Sequence, residues 1–71
     1  MRWTPTHMDH LERAVRDGLR VAVMRRGNEH IVIAKRLTTV GTRDAFVALV
    51  PMSGRELTFV LDEVDAFQLI S

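Results

Sequence analysis

The sequence predicts a mainly β domain, with an N-terminal helix followed by five short antiparallel strands rolled into a small barrel. Three observations carry this. Leu57, Phe59 and Leu61 alternate, Asp62-Glu63-Val64-Asp65 interrupts them for about one tight turn, and Phe67 and Leu69 resume the alternation. A strand, a one-turn kink and another strand pass a chain sharply from one side of a barrel to the other. Two further alternating runs flank Gly27-Asn28, the pattern of a hairpin. Met8, Leu11 and Val15 recur at helical spacing and end at Gly18.

The chain of 71 residues holds one domain: residues 1–5 form an N-terminal extension and 6–71 a single helix-plus-barrel unit. A domain of this size buries only about 60% of its unfolded surface. It has no cysteine, so neither a disulfide framework nor a thiolate metal site supports it. Apolar residues make up 46% of the chain, too many for a disordered one. No apolar run reaches the roughly 18 residues of a membrane span. Met1-Arg2-Trp3-Thr4-Pro5 lacks the apolar stretch of a signal peptide, so a cytoplasmic location without membrane contact is expected. The net charge of +1 argues against strong general affinity for nucleic acid. Every basic residue except Lys35 is arginine, which suits bidentate contacts to phosphate or carboxylate.

Residues Met1 to Pro5 are expected to be extended, with Trp3 covering apolar surface rather than stacking on a nucleobase. Thr6 to Asp17 reads as a three-turn helix, capped by Thr6, or by Asp9 with Glu12 completing a capping box. Too short to stand alone, it must lie across the open end of the barrel. Leu19 to Arg26 is the first strand and Glu29 to Arg36 the second, with Gly27-Asn28 as the turn. A third strand covers Ala45 to Val50, after a connection containing Gly41. Pro51-Met52-Ser53-Gly54 turns the chain into a fourth, Arg55 to Leu61, and Ala66 to Ile70 is the fifth.

The expected core is Met8, Leu11 and Val15 of the helix, Leu19, Val21, Val23, Ile31 and Ile33 of the first hairpin, and Phe46, Ala48, Leu57, Phe59, Leu61, Val64, Phe67 and Leu69. That leaves Ala22, Met24, Val32, Ala34, Val47, Val60 and Ile70 pointing outward, where a half-buried sheet normally carries polar residues. Met24, Val32, Ala34, Val47 and Val60 are therefore the candidate self-association residues of a homo-oligomer.

One helix, five strands and a one-turn kink, in this order, resemble a small SH3-like or Sm-like barrel. Two families are similar in particular residues. Gly54-Arg55-Glu56-Leu57-Thr58-Phe59-Val60-Leu61-Asp62-Glu63-Val64 resembles the closing run of the WYL domain, as do Leu11, Ala14, Arg20-Val21 and Ala45-Phe46-Val47-Ala48-Leu49. Asp9-His10-Leu11-Glu12-Arg13-Ala14, Arg55-Glu56-Leu57 and Leu61-Asp62-Glu63-Val64 are similar to Rof, the inhibitor of the transcription terminator Rho. Either resemblance spans residues 9 to 69 and implies a barrel module in a transcription setting. Ala45-Phe46 stands at the naming aromatic pair of the WYL family, and Val60 and Glu63 stand where that family has basic residues.

Arg20, Arg25, Arg26, Lys35 and Arg36 crowd the first hairpin and are candidates for binding nucleic acid, a nucleotide or another anion, with Glu29 partly neutralising them. His7 and His10 sit three apart on the helix without an evident third metal ligand, so they read as exposed helix residues. Asp62, Glu63 and Asp65 have no nucleophile beside them; Asp62 is expected to cap the kink and Arg55 to pair with one of these carboxylates. No catalytic residue, metal or cofactor is assigned. The expected function is a non-enzymatic binding or regulatory module acting through its surface, with a protein partner in transcription or a nucleic acid. The alternative is a sensor barrel that takes an anionic ligand or nucleotide at the arginine-rich hairpin.

Overall fold

A computed structural model describes residues 1–71. Helix α1 runs Pro5–Asp17. The strands are β1 Arg20–Arg25, β2 Asn28–Val40, β3 Arg43–Leu49, β4 Glu56–Val60 and β5 Ala66–Leu69. A one-turn 3₁₀ helix, Leu61–Glu63, joins the last two. All neighbouring strands are antiparallel, in the order β4-β3-β2-β1-β5. Strands β4 and β5 each pair on one side only, so the sheet is open and no ladder between them closes it. No helix is long and apolar enough to cross a membrane.

The helix starts at Pro5, and its cap is Thr4, neither Thr6 nor Asp9. Thr4 Oγ1 accepts from the His7 amide at 3.2 Å, and His7 Nδ1 accepts from the Thr4 amide at 3.3 Å. Histidine takes the place that Glu or Gln holds in the usual capping box, so a search for that pattern passes over it. Pro5 suits the first helical position, where its missing N–H costs nothing. Gly18 ends the helix in the left-handed region at φ 67°, its amide bonded to the Ala14 carbonyl. Leu11 and Ala14 are fully buried, and the helix packs on β2 and β5. Trp3 extends this cover, as the sequence predicts: its Nε1 donates to the Leu61 carbonyl at 2.9 Å and its ring lies 5.0 Å from Phe67.

The first hairpin differs from expectation by one residue. Arg25 pairs with Asn28, so Arg26-Gly27 is the two-residue loop, with φ of 52° and 77°. Positive φ at both positions lets such a loop follow the twist of the flanking strands. The inward face of β2 is also reversed. Val32 and Ala34 are in the core at 1% and 0% exposure, whereas Ile31 is 45% exposed and Ile33 half-buried. The reason is parity. A two-residue loop pairs odd-numbered with even-numbered residues, and paired side chains share a face. With Val21 and Val23 inside, β2 must turn even-numbered side chains inward, as in the pair Val21–Val32.

Strand β2 runs 13 residues, to Val40 rather than Arg36. Drawn straight it would span about 40 Å, but the longest extent of the molecule is 28 Å. A β-bulge takes up the bend: Ala34 pairs with Ala48 and Arg36 with Val47, leaving Lys35 over. The curl is tight enough that Arg26 and Arg43, just beyond opposite ends of β2, both reach Glu63, at 3.9 and 3.5 Å. Phe46, Phe59 and Phe67 fill the resulting hollow, with ring centroids 5.3 Å apart for Phe46–Phe59 and 6.4 Å for Phe46–Phe67. Val21, Val23, Val32, Ala34, Ala48, Leu61 and Val64 complete the core with Leu11 and Ala14.

Candidate functional site

The five basic residues of the first hairpin do not form one patch. Arg20 and Arg25 begin and end β1, a separation of about 17 Å at the rise of a strand. Arg25 is a structural residue. Its Nη1 donates to the Thr58 carbonyl of β4 at 3.1 Å, and its guanidinium carbon stands 4.5 Å from the centre of the Phe59 ring. It thereby ties β1 to a strand that is not its neighbour in the sheet. Arg26 occupies the turn, where its backbone amide donates to Asp65 Oδ2 at 3.0 Å. Arg36 lies 3.8 Å from Glu56 on the surface. Lys35 is the extra residue of the bulge. Of the five, Arg20 and Lys35 are exposed and have no carboxylate partner.

The acidic run serves the fold. Asp62 does not cap the 3₁₀ turn, which has no side-chain cap; it lies 3.5 Å from Arg43 Nε. Arg43 also meets Glu63, so Arg43, not Arg55, answers these carboxylates. No local spacing announces a partner 20 residues distant; the register of β3 on β4, with Ala45 opposite Val60, brings Arg43 opposite Asp62. Asp65, the actual link to the hairpin, accepts from the Arg26 amide. His7 Nδ1 is taken up in the helix cap, and His, Asp and Glu side chains nowhere gather in threes.

The apolar outer surface lies elsewhere than predicted. Val32 and Ala34 belong to the core. Val47 and Val60 do face outward but are 5% and 8% exposed. Val47 stands on the interior strand β3 between Arg36 and Thr58, and cross-strand neighbours cover it. Of the five candidate self-association residues only Met24 stays partly open. Ile31 and Ile33 take the places assigned to Val32 and Ala34.

The open face is the outside of β5-β1-β2, built in three cross-strand rows. Ile70, Arg20 and Ile33 form one end, Gln68, Ala22 and Ile31 the middle, and Ala66, Met24 and Glu29 the other end. Ile31 and Ile70 are 45% and 47% exposed. A shallow depression opens beside the small side chains of Ala22 and Ala66, with Met24, Glu29 and Gln68 around it. Glu29, like Arg20, has no ion-pair partner. The face thus carries aliphatic side chains in all three rows, an unpaired cation at one end and an unpaired anion at the other. Such a surface recognises another apolar surface with matched charges at its rim.

Compared with models of protein families, with curated proteins and with solved structures, the chain matches none.

Proposed function

We propose that this chain is a non-enzymatic binding module that acts through the outer face of β5-β1-β2, self-associates, and works in a transcription-linked or other nucleic-acid setting in the cytoplasm. One observation carries the reading: in a chain of 71 residues, Ile31, Ile33, Met24 and Ile70 leave one sheet face apolar and open. Burying such side chains against a partner is worth about 25 cal/mol per Å² of apolar surface. The strand order and the 3₁₀ turn between β4 and β5 support reading the curled sheet as an incompletely closed SH3-like or Sm-like barrel. The WYL-like and Rof-like residues at 54–64 fall on this turn and the strand before it.

Two measurements test the reading together. Sedimentation over a concentration series reports self-association, and anisotropy of labelled short RNA and DNA at 50 and 200 mM salt reports nucleic-acid contact. Association in the first, or salt-sensitive binding in the second, supports it. A monomer that leaves every oligonucleotide unbound at about 100 μM overturns it. The alternative, a sensor of an anionic ligand, is favoured by the unpaired Lys35 beside Arg36 and Arg20 at the bulged end of the hairpin. It predicts that a nucleotide or phosphate raises the melting temperature and that Lys35→Ala abolishes the rise.

A further inference from the structure

We infer that the outer face of β5-β1-β2 docks against the same face of a second copy, about a two-fold axis that crosses the strands at the level of Ala22 and Ile31. This rests on the self-association reading above and specifies its geometry. Stacked sheets lie about 10 Å apart with their strands roughly aligned. A two-fold axis in the plane between two such faces can run along the strands or across them. An axis along β1 sets Arg20 over the partner's Arg20, a contact between like charges, and leaves Glu29 over the partner's Ala66 with no cation opposite.

An axis across the strands inverts the order of the rows. The row Ile70–Arg20–Ile33 of one protomer then lies over the partner's row Ala66–Met24–Glu29, and the reverse holds by symmetry. Arg20 comes within side-chain reach of the partner's Glu29, one strand spacing to the side, and the pair occurs twice. Shape agrees with charge. Ile70, 47% exposed, stands over the depression beside the partner's Ala66 and Ala22, where small side chains leave room. Glu29 and Arg20 have no ion-pair partner within the chain, so neither must break a contact to make this one.

The face is about 15 Å across its strands and about 17 Å along them. That is roughly 250 Å² per protomer, against roughly 800 Å² per partner for a standard interface, so the dimer is weak and forms toward the concentrated end of a titration.

Sedimentation velocity of the full chain from 5 to 500 μM, with circular dichroism on every variant, tests the geometry. The wild type is expected to move from 8.1 kDa toward twice that mass. Arg20→Glu and Glu29→Arg, each alone, create like-charge contacts and weaken the dimer at least tenfold. The double variant Arg20→Glu/Glu29→Arg restores opposite charges at both sites and returns the affinity to within about threefold of wild type. Ile31→Asp, at the axis, gives a folded monomer. A wild type that stays monomeric at 500 μM overturns the inference, as does a dimer that ignores the single reversals or is not rescued by the double one. A dimer indifferent to all four charges leaves self-association standing and removes only this face. Oligonucleotide binding by a strict monomer leaves the binding-module reading standing without it.

Discussion

The two faces of the β1–β2 ribbon are both aliphatic and have opposite fates. The inner face carries Val21, Val23, Val32 and Ala34, all at 1% exposure or less. The outer face carries Ala22, Met24, Ile31 and Ile33, all at least partly open. By side-chain size alone the outer face is the better core, since isoleucine and methionine are larger than valine and alanine. The inner face is closed because α1 and the three phenylalanines lie on that side of the curl. Smaller side chains suit it, because a tightly bent sheet has little room left once Phe46, Phe59 and Phe67 are in place. Size and hydrophobicity do not assign the inside of so small a sheet; the curl and the turn do.

The largest expected effect breaks this symmetry outright. Val32→Asp puts an unpaired carboxylate in the core and should cost more than about 4 kcal/mol. A chain of this length commands roughly 4–11 kcal/mol in total, so circular dichroism should show a largely unfolded protein. Ile33→Asp, one residue along and on the other face, should leave the dichroism spectrum native. If Ile33→Asp unfolds the chain and Val32→Asp does not, the assignment of faces is reversed.

Next in size is an overpacking pair. Ala34→Leu adds volume to a filled core and should destabilise by about 1–3 kcal/mol, while Ala22→Leu on the outer face should stay within about 0.5 kcal/mol. Denaturant titrations separate the two. A third comparison concerns what closes the inner face. Thr4→Ala removes the helix cap and should cost about 1 kcal/mol. Trp3→Phe forfeits the hydrogen bond to Leu61 and should cost about as much. Neither change should alter association through the outer face, which neither residue touches.

A fourth, smaller effect bears on the turn that sets parity. Arg26 holds φ 52°, a conformation asparagine adopts more readily. Arg26→Asn should raise stability by about 0.5–1 kcal/mol, a few degrees in Tm for a domain of this size. It gives up only a long surface contact to Glu63. The smallest effect expected is at Arg36. Its exposed pair with Glu56 is worth little, and Arg36→Ala should shift stability by less than about 0.5 kcal/mol.

Several elements were legible in the sequence because their causes are local. The helix follows from apolar spacing and a terminal glycine, although its cap does not, because His7 replaces the expected acidic partner. The interruption after Leu61 follows from broken alternation, and the inward sets of β1, β3 and β4 from alternation itself. The two-residue loop carried the parity of β2 as well: with Val21 and Val23 inside, an odd-with-even pairing already forbids Ile31 and Ile33 from facing inward. That constraint lay in the chain, but isoleucine's hydrophobicity pointed the other way. The candidate surface shifted with it, from Val32 and Ala34 to Ile31 and Ile33.

What the sequence determined by itself is the set of elements, their order and the antiparallel hairpins, since these depend on residues within a few positions of one another. What only the tertiary structure decided is the curl of β2 at Lys35, the meeting of Arg26 and Arg43 at Glu63, the tether from Arg25 to Thr58, and which aliphatic face stays open. These join residues distant along the chain. Their energies come from burial and charge contacts that exist only once the sheet has bent, and no local pattern records the bend.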